Sequence, residues 1–216
     1  MSITSEFTHN DVEILSNTNT YDGFFKMQTL TLKHRLFEGG WSQPIRRELF
    51  VRGKAAGVLL YDRDKDSVAL IEQFRIGSLL AEQPASDQHN SPWLFELVAG
   101  IVEPGEAAED VAIREVKEES GAEIHSLIPI CDYLVSPGGT NESLALFCAT
   151  VDSDNIAGIH GLEEEGEDIR VHVVSREDAM SAILDGRINN AATIIALQWL
   201  ELNKLKQLPA LFGVKN

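Results

Sequence analysis

A chain of 216 residues with 44% apolar residues can bury one substantial core, with or without an N-terminal annex. Its 34 acidic residues, against 18 lysines and arginines, give a formal net charge of −16. A field of this sign repels nucleic-acid backbones and anionic membranes, so we expect the protein to bind neither nucleic acid nor membrane. A phosphate-bearing substrate stays compatible with this charge if cations accompany it.

The cysteines and the N-terminus bear on the cellular compartment. Cys131 and Cys148 lie in apolar, strand-like stretches, and neither has a second cysteine at metal-ligand spacing. Buried free thiols fit a reducing compartment. The segment from Met1 to Val12 is polar, and no apolar run reaches the roughly 18 residues that a membrane helix needs. The sequence therefore predicts a cytoplasmic protein.

The first half of the chain predicts strands. After about ten loose residues, the stretch 24–51 alternates like strands, with residues 30, 32, 34 and 36 on one side and a turn at Gly39-Gly40. Two apolar strands at 55–61 and 68–75 are joined by a charged turn. A polar loop over 79–91 then leads into a short strand at 93–98.

The second half alternates between helices and strands. A helix over 107–120 ends at Gly121, the residue type best suited to a left-handed cap. Strands are predicted at 127–135, 144–151 and 169–174. Ser175 and Asp178 resemble a capping box for a helix that Gly186 closes. A final helix starts at position 189 or 190 and carries apolar residues at helical spacing, namely Ile194, Leu197, Leu200 and Leu205. The pattern predicts a mixed sheet with helices packed on it, either α+β or an α/β/α sandwich.

The first of these helices carries a cluster of carboxylates. Glu115, Glu118 and Glu119 stand at positions i, i+3 and i+4, within one arc of about 100°. Arg114 can pair with Glu118, which neutralises only one of the three charges. A divalent cation is an efficient partner for the others, because carboxylates are hard ligands that suit Mg²⁺. Taken alone, however, such a cluster is more often an ordinary solvated helix face.

The residues around the cluster favour the metal site. Pro104-Gly105 is a turn signal before the helix, and Gly100 allows close backbone approach. The run fits the pattern G-x5-E-x7-R-E-U-x-E-E-x-G-U, in which U is apolar, with Ala122 small for the last position. The nine defined positions are Gly100, Glu106, Arg114, Glu115, Val116, Glu118, Glu119, Gly121 and Ala122. By this signature the chain resembles the Nudix hydrolases.

The resemblance extends over nearly the whole chain, to the bacterial ADP-ribose pyrophosphatases of that superfamily. It rests also on Arg46-Arg47-Glu48, Glu72-Gln-Phe-Arg75, Ser136-Pro-Gly-Gly-Thr140, Gly158-Ile-His-Gly-Leu162, Glu167-Asp-Ile-Arg170 and Asn190-Ala-Ala. It implies a Nudix α/β/α sandwich with a mixed sheet, residues 54–216, preceded by antiparallel strands in residues 1–53. These strands would serve dimerisation and the adenine side of the pocket. The implied reaction is hydrolysis of ADP-ribose to AMP and ribose 5-phosphate by a homodimer with two or three Mg²⁺ ions, for which Mn²⁺ can substitute.

The resemblance also implies roles near the metal. The backbone carbonyl of Ala99 and the side chains of Glu115, Glu119 and Glu167 resemble the metal ligands. Catalytic roles would fall to Glu165 as general base, to Glu118 beside the ligands, and to Arg114 as the residue that orients the helix carboxylates. The base would lie in a long loop over 152–168, where Glu164 is a rival in the run of glutamates. The alternative is a flexible acidic surface loop.

Substrate-binding roles are implied for a further set of residues. Phe24 and Phe25 would lie against the adenine ring, unless both are core strand residues. Arg47, Glu48 and Arg52 match positions that reach the neighbouring subunit's pocket, and Arg75 matches a pyrophosphate-side arginine. The remaining members are Ile101, the run Ser136, Pro137, Gly138 and Gly139, which would offer backbone groups at close range, and Glu142, which would bind ribose hydroxyls. A plain Pro-Gly turn is the alternative for 136–139.

The sequence leaves the substrate range and two alternative functions open. The stretch 77–91 is longer than expected for this family, which leaves substrate breadth open. His160 and His172 are interpreted as structural histidines. One alternative function is hydrolysis of other nucleoside diphosphate sugars. The other is a non-catalytic ADP-ribose sensor, which is disfavoured because the carboxylates of the signature are intact and no basic region is present.

Overall fold

The computed structural model describes residues 3–81 and 91–204 and divides the chain into two compact units. The first unit contains the chain up to Gly53 together with Leu134–Ser143. The second contains Lys54–Tyr133 and the chain from Leu144 onward. The first unit therefore includes a short segment that lies in the second half of the sequence.

The first unit contains a three-stranded antiparallel sheet in the order β1-β2-β3, with β1 Val12–Asp22, β2 Lys26–His34 and β3 Ile45–Val51. A capped turn at His9–Asp11 precedes it, so the prediction of about ten loose residues was wrong at positions 9–11. Strand β1 was missed, because all of its residues are exposed and its sequence lacks the alternation of a half-buried strand.

The second unit is built on an eight-stranded mixed sheet with the order β10-β11-β5-β4-β9-β8, in which β6 pairs with β5 and β7 with β4. The strands are β4 Lys54–Asp62, β5 Ser67–Phe74, β6 Trp93–Glu96, β7 Val98–Val102, β8 Ser126–Leu134, β9 Ser143–Thr150, β10 Gly158–His160 and β11 Ile169–Ser175. The helices are α1 Ile76–Leu79, α2 Ala108–Ser120, α3 Arg176–Leu184 and α4 Ala191–Lys204.

Three details of this unit differ from the sequence prediction. The strand predicted at 93–98 is two strands, β6 and β7, which pair with different neighbours. Helix α1 precedes the polar loop, and β10 lies inside the segment predicted as a long loop. Residues 82–90 of the polar loop and Leu205 of the last helix lie outside the described residues.

The two faces of the large sheet carry separate apolar clusters. Helix α2 contributes Val111 and Val116 to the cluster on one face, which includes Ile71 of β5. Helix α4 contributes Leu197 to the cluster on the other face, which includes Leu70 of the same strand. Successive strand residues point to opposite faces, so the sheet is covered on both sides. The expected α/β/α sandwich is confirmed. No helix in the described ranges has the length and apolar character for a membrane span.

The predicted helix ends are also confirmed. Gly121 ends α2 in the left-handed conformation, with φ of 66°, which glycine adopts without a steric penalty. The Ser175 side chain accepts a hydrogen bond from the backbone N–H of Asp178 at 3.0 Å. The Asn190 Oδ1 atom accepts one from the N–H of Thr193 at 3.2 Å at the start of α4.

A buried carboxylate, Asp62, anchors the turn between β4 and β5. It is 4% exposed and accepts hydrogen bonds from the Ser153 hydroxyl at 2.6 Å, the Ser153 N–H at 3.0 Å and the Lys65 ammonium at 3.1 Å. Burial alone would raise the pKa of Asp62, but these hydrogen bonds outweigh it and hold the pKa well below its ordinary value.

We expect Asp62→Asn to lower the free energy of unfolding by about 3 kcal/mol at neutral pH, because a charged acceptor is lost from a buried network. The folded-state pKa lies below the unfolded one, so the stabilisation is present above a pH of about 4 and decreases as pH falls further. Urea unfolding of both proteins at neutral and acidic pH measures this effect. An equal difference at both pH values would contradict the role of the charge.

Candidate active site

The buried carboxylate of Glu119, in the last turn of α2, lies at the centre of the candidate site. Its residue is 2% exposed, and its Oε2 atom accepts a hydrogen bond from the Ala99 N–H of β7 at 3.0 Å. Burial raises the pKa of Glu119 to about 8; the Ala99 hydrogen bond opposes this shift, and the negative charges of Glu167 and Glu115 add to it. The arrangement therefore leaves a buried carboxylate short of positive charge.

The second carboxylate of the site, Glu115, is packed against the backbone of β7. A Cβ atom added at Gly100 would overlap the carboxylate and Cγ of Glu115. Gly100 lies on the α2 side of the sheet, because it pairs with Ala56, which belongs to the core under that helix. The glycine of the sequence signature therefore provides the space in which this carboxylate meets the strand.

Arg114 binds the carboxylates that are closer to solvent. Its Nη1 atom lies 2.8 Å from Glu115 and 3.4 Å from Glu118, and its Nη2 atom lies 4.0 Å from Glu106. Desolvation opposes the charged form of Arg114, but the three glutamates outweigh it and raise the pKa of the guanidinium. The ion pair with Glu118 that the sequence spacing predicted is present. Arg114 thus pairs with three glutamates, and Glu119 is not one of them.

Arg75 directly follows β5, and its side chain lies on the α2 side of the sheet. Its positive charge lowers the pKa of Glu119, and its Nε atom donates to the Glu96 Oε2 atom at 2.6 Å. Sequence reasoning missed Glu96, whose side chain is 15% exposed. The side of the sheet on which Glu96 lies follows from its pairing with Ile71, which belongs to the core under α2, and the sequence does not reveal this pairing.

The acidic segment after β10 contains the turn Glu163–Glu165 and Gly166, whose φ is 72°. The carboxylate of Glu167 accepts a hydrogen bond from the Leu162 N–H at 3.1 Å. Glu164 is exposed, and the side chain of Glu165 lies outside the described part of the chain. The choice between these two glutamates as general base therefore stays a prediction.

The carboxylates fit an Mg²⁺ site that water and substrate complete. Within residues 3–81 and 91–204, no three acidic, histidine or cysteine side chains converge closely enough to hold a metal ion unaided. Mg²⁺ is usually held by one or two carboxylates together with water and substrate phosphates. A buried carboxylate with unbalanced charge, next to a second one held against a strand, has the character that a hard cation requires.

In the second unit, Glu72 and Ile101 lie on the face of the sheet opposite α2. Glu72 shares that face with Leu70 and, with Trp93, Ile159, Asp168 and Arg170, lines a cavity of about 220 Å³. Ile101 alternates with Gly100 along β7, so its side chain also points away from α2, and it is 48% exposed. The structure therefore does not bring Ile101 to the carboxylates.

Several predicted substrate residues of the first unit form one cluster. The Phe24 and Phe25 rings pack edge to face with their centroids 4.7 Å apart. The Phe25 and Phe50 rings pack in the same way with their centroids 5.1 Å apart. The Arg52 guanidinium lies 4.5 Å from the Phe25 ring and 3.0 Å from Glu142. Phe24 is 86% and Phe25 36% exposed, so the alternative that both are core residues was wrong. The sequence analysis missed Phe50. It lies two residues before Arg52, and side chains two residues apart on an extended chain point to the same side.

The other predicted residues of the first unit lie outside these contacts. Arg47 and Glu48 are consecutive on β3 and point to opposite faces of its sheet. Residues 136–139 form a tight turn, in which the Ser136 carbonyl accepts from the N–H groups of Gly139 and Thr140. The Gly139 carbonyl accepts from the Phe50 N–H at 2.8 Å. The turn, which includes Pro137 and Gly138, thus joins this sheet.

Comparisons with known proteins agree with this geometry. Residues 51–211 match the family model described as NUDIX domain. The chain is 48% identical to an ADP-ribose pyrophosphatase of Haemophilus influenzae, covering 94% of this chain and 92% of that protein. It is 48% identical to one of Escherichia coli K12, covering 91% of each. A GDP-mannose pyrophosphatase of Cronobacter sakazakii is 31% identical, covering 89% of this chain and 96% of that protein.

A solved structure described as an ADP compounds hydrolase shares the fold. It has a TM-score of 0.63 at 18% identity and covers 89% of this chain and 96% of that one. The family match covers most of the chain. It agrees with the carboxylates on α2 and with Gly100, which makes room for one of them on β7. The chain therefore belongs to the Nudix family.

Proposed function

We propose that the chain hydrolyses the diphosphate bond of ADP-ribose to give AMP and ribose 5-phosphate, with Mg²⁺ as the activating cation. The observation that supports this chemistry is the carboxylate of Glu119. It is buried near Glu115, and the positive charge around it is too small to balance its negative charge. The substrate is supported by the 48% identity to curated ADP-ribose pyrophosphatases over more than nine tenths of the chain. Cytoplasmic action by a homodimer with two or three Mg²⁺ ions, replaceable by Mn²⁺, is part of the proposal.

Different residues would bind the cations and the phosphate groups of the substrate. Glu115, Glu119, Glu167 and the carbonyl of Ala99 would share the bound cations, with water and substrate as the remaining ligands. When bound, Mg²⁺ would neutralise the diphosphate, polarise its P–O bonds and activate a water. Arg75 would bind a phosphate oxygen, because within the described ranges its two Nη groups have no hydrogen-bond partner while Nε is held by Glu96.

The attacking water also needs a base, for which the resemblance favours Glu165. We expect Glu165→Gln to lower kcat by about a hundredfold and to change KM little, as loss of a general base should. Steady-state kinetics of Glu165→Gln and Glu164→Gln, measured side by side, test this. An equal or larger fall in kcat for Glu164→Gln would move the role to Glu164.

The cluster of Phe24, Phe25, Phe50, Arg52 and Glu142 would bind the nucleoside parts of the substrate. Exposed aromatic rings suit a purine base, and a carboxylate suits ribose hydroxyls. Arg52 supports both elements, because it lies over the Phe25 ring and pairs with Glu142. The resemblance adds Arg47 and Glu48, which would reach the partner subunit's pocket, and the 136–139 turn, whose backbone groups would contact the substrate at close range.

A nucleotide sugar is the second candidate substrate, and the GDP-mannose pyrophosphatase among the relatives favours it. A panel of ADP-ribose, GDP-mannose and ADP-glucose, assayed with Mg²⁺ and analysed for products, decides between them. The proposal predicts the highest kcat/KM for ADP-ribose, with AMP and ribose 5-phosphate as products. No turnover of ADP-ribose, or a higher kcat/KM for GDP-mannose, would contradict it.

A further inference from the structure

A short segment links the catalytic helix to the acidic segment. Strand β10 pairs with β11, and Gly161 directly after it donates its N–H to the Glu118 carbonyl at 3.4 Å. That carbonyl belongs to the last turn of α2, where the helix itself provides no donor. The segment therefore satisfies an end group of the helix that carries Glu119.

The same segment also fixes Glu167. The Leu162 N–H donates to the Glu167 Oε2 atom at 3.1 Å, and the Glu167 N–H donates to the Leu162 carbonyl at 3.2 Å. A Cβ atom added at Gly161 would lie 2.7 Å from the Glu167 Cβ atom. Gly161 has φ of 97°, which other residues rarely adopt. The backbone of Gly161 and Leu162 thus packs directly against Glu167.

The His160 side chain holds this connection in place. Its Nε2 atom lies 3.0 Å from the Ala157 carbonyl; a carbonyl only accepts, so Nε2 carries the proton. Its ring covers Gly121, where an added Cβ atom would lie 3.0 Å from the His160 Cε1 atom. One imidazole therefore contacts the cap of α2 and closes the turn into β10.

We propose that His160 is a positioning residue that holds the last turn of α2 and Glu167 in a fixed relative arrangement. The inference builds on the proposed function, because Glu119 and Glu167 are the carboxylates that would share the cation. Without the ring, Gly121 loses its neighbour, and the 3.4 Å hydrogen bond from the Gly161 N–H to the Glu118 carbonyl must hold the Gly161–Leu162 backbone against α2 without the imidazole. Glu167 would then reach the cation at an entropic cost that the wild-type protein does not have.

The test is titration of Mg²⁺ into substrate-free protein by calorimetry, with His160→Ala as the variant and His125→Ala as the matched control. His125 is an exposed histidine four residues after Gly121. We expect His160→Ala to weaken Mg²⁺ binding by about tenfold, in the range for residues that support metal ligands. It should also speed hydrogen exchange of the Leu162 amide, whereas His125→Ala should match the wild type in both. His160→Gln, which keeps an amide donor, should recover part of the affinity.

Two results would overturn the proposal. One is Mg²⁺ affinity and Leu162 exchange within about twofold of the wild type in a folded His160→Ala protein. The other, if His160→Ala fails to fold, is a folded His160→Leu protein, which lacks the donor, with Mg²⁺ affinity and Leu162 exchange that both match those of the wild type. These readouts need no substrate. A wild-type protein that binds Mg²⁺ but leaves ADP-ribose intact would therefore refute the proposed function and leave the role of His160 testable.

Discussion

Glu119→Gln is expected to lower kcat/KM for ADP-ribose by at least about a thousandfold, because a buried cation ligand becomes neutral. The fold should survive, since the amide oxygen can still accept the hydrogen bond from the Ala99 N–H and a neutral amide suits a buried position where the raised pKa already favours the neutral carboxyl. We expect the metal-free variant to melt within about 3 °C of the wild type. Kinetics at saturating Mg²⁺ and thermal unfolding of the metal-free proteins measure the two effects.

Glu109→Gln is the matched control for this variant. Glu109 is an exposed glutamate in the first turn of the same helix, so its neutralisation changes the charge of α2 equally without touching the site. It should retain activity within about twofold. Wild-type turnover by Glu119→Gln, or an equal loss in Glu109→Gln, would contradict the assignment of Glu119.

Gly100→Ala is expected to lower activity by about a thousandfold, close to the effect of removing the Glu115 carboxylate itself. A methyl group at this position would occupy the space of the Glu115 side chain, so the carboxylate must leave the strand. The backbone of Gly100 does not have a positive φ, so alanine meets no conformational barrier there. The measurement is steady-state kinetics together with Mg²⁺ affinity.

Gly57→Ala controls for substitution of a glycine in the same sheet. Gly57 pairs with Ala99, the residue before Gly100, but a Cβ atom there would meet the Leu146 Cδ2 atom at 3.0 Å, on the face away from α2. We expect a change in stability for Gly57→Ala with activity within about threefold of the wild type. If the two alanine variants lost activity equally, the loss could not be assigned to Glu115.

The sequence predicted the cluster of carboxylates on α2 because a helix has a fixed period. Once α2 was placed by its spacing and its glycine cap, Glu115, Glu118 and Glu119 had to share one face. The structure adds which of them is buried, and Glu119 is the one. Burial depends on β7 and on its hydrogen bond from the Ala99 N–H, which no local pattern contains.

Other features depended on pairing between distant segments. Strand β1 has both faces exposed, so no alternation marked it, and a nearly continuous apolar stretch concealed the break between β6 and β7. Glu96 was overlooked as a lone acid in that stretch, although its partner Arg75 was identified. His160 was taken as an ordinary structural histidine, since its contact with Gly121 brings together residues about forty positions apart.

Calorimetric titration of Mg²⁺ into the metal-free wild type, Glu115→Gln and Glu119→Gln tests the central claim most directly. If these two carboxylates of α2 hold the activating cation, the wild type should bind Mg²⁺ and each variant should bind it at least about tenfold more weakly. The same affinity in all three proteins would contradict the claim that this helix forms the metal site.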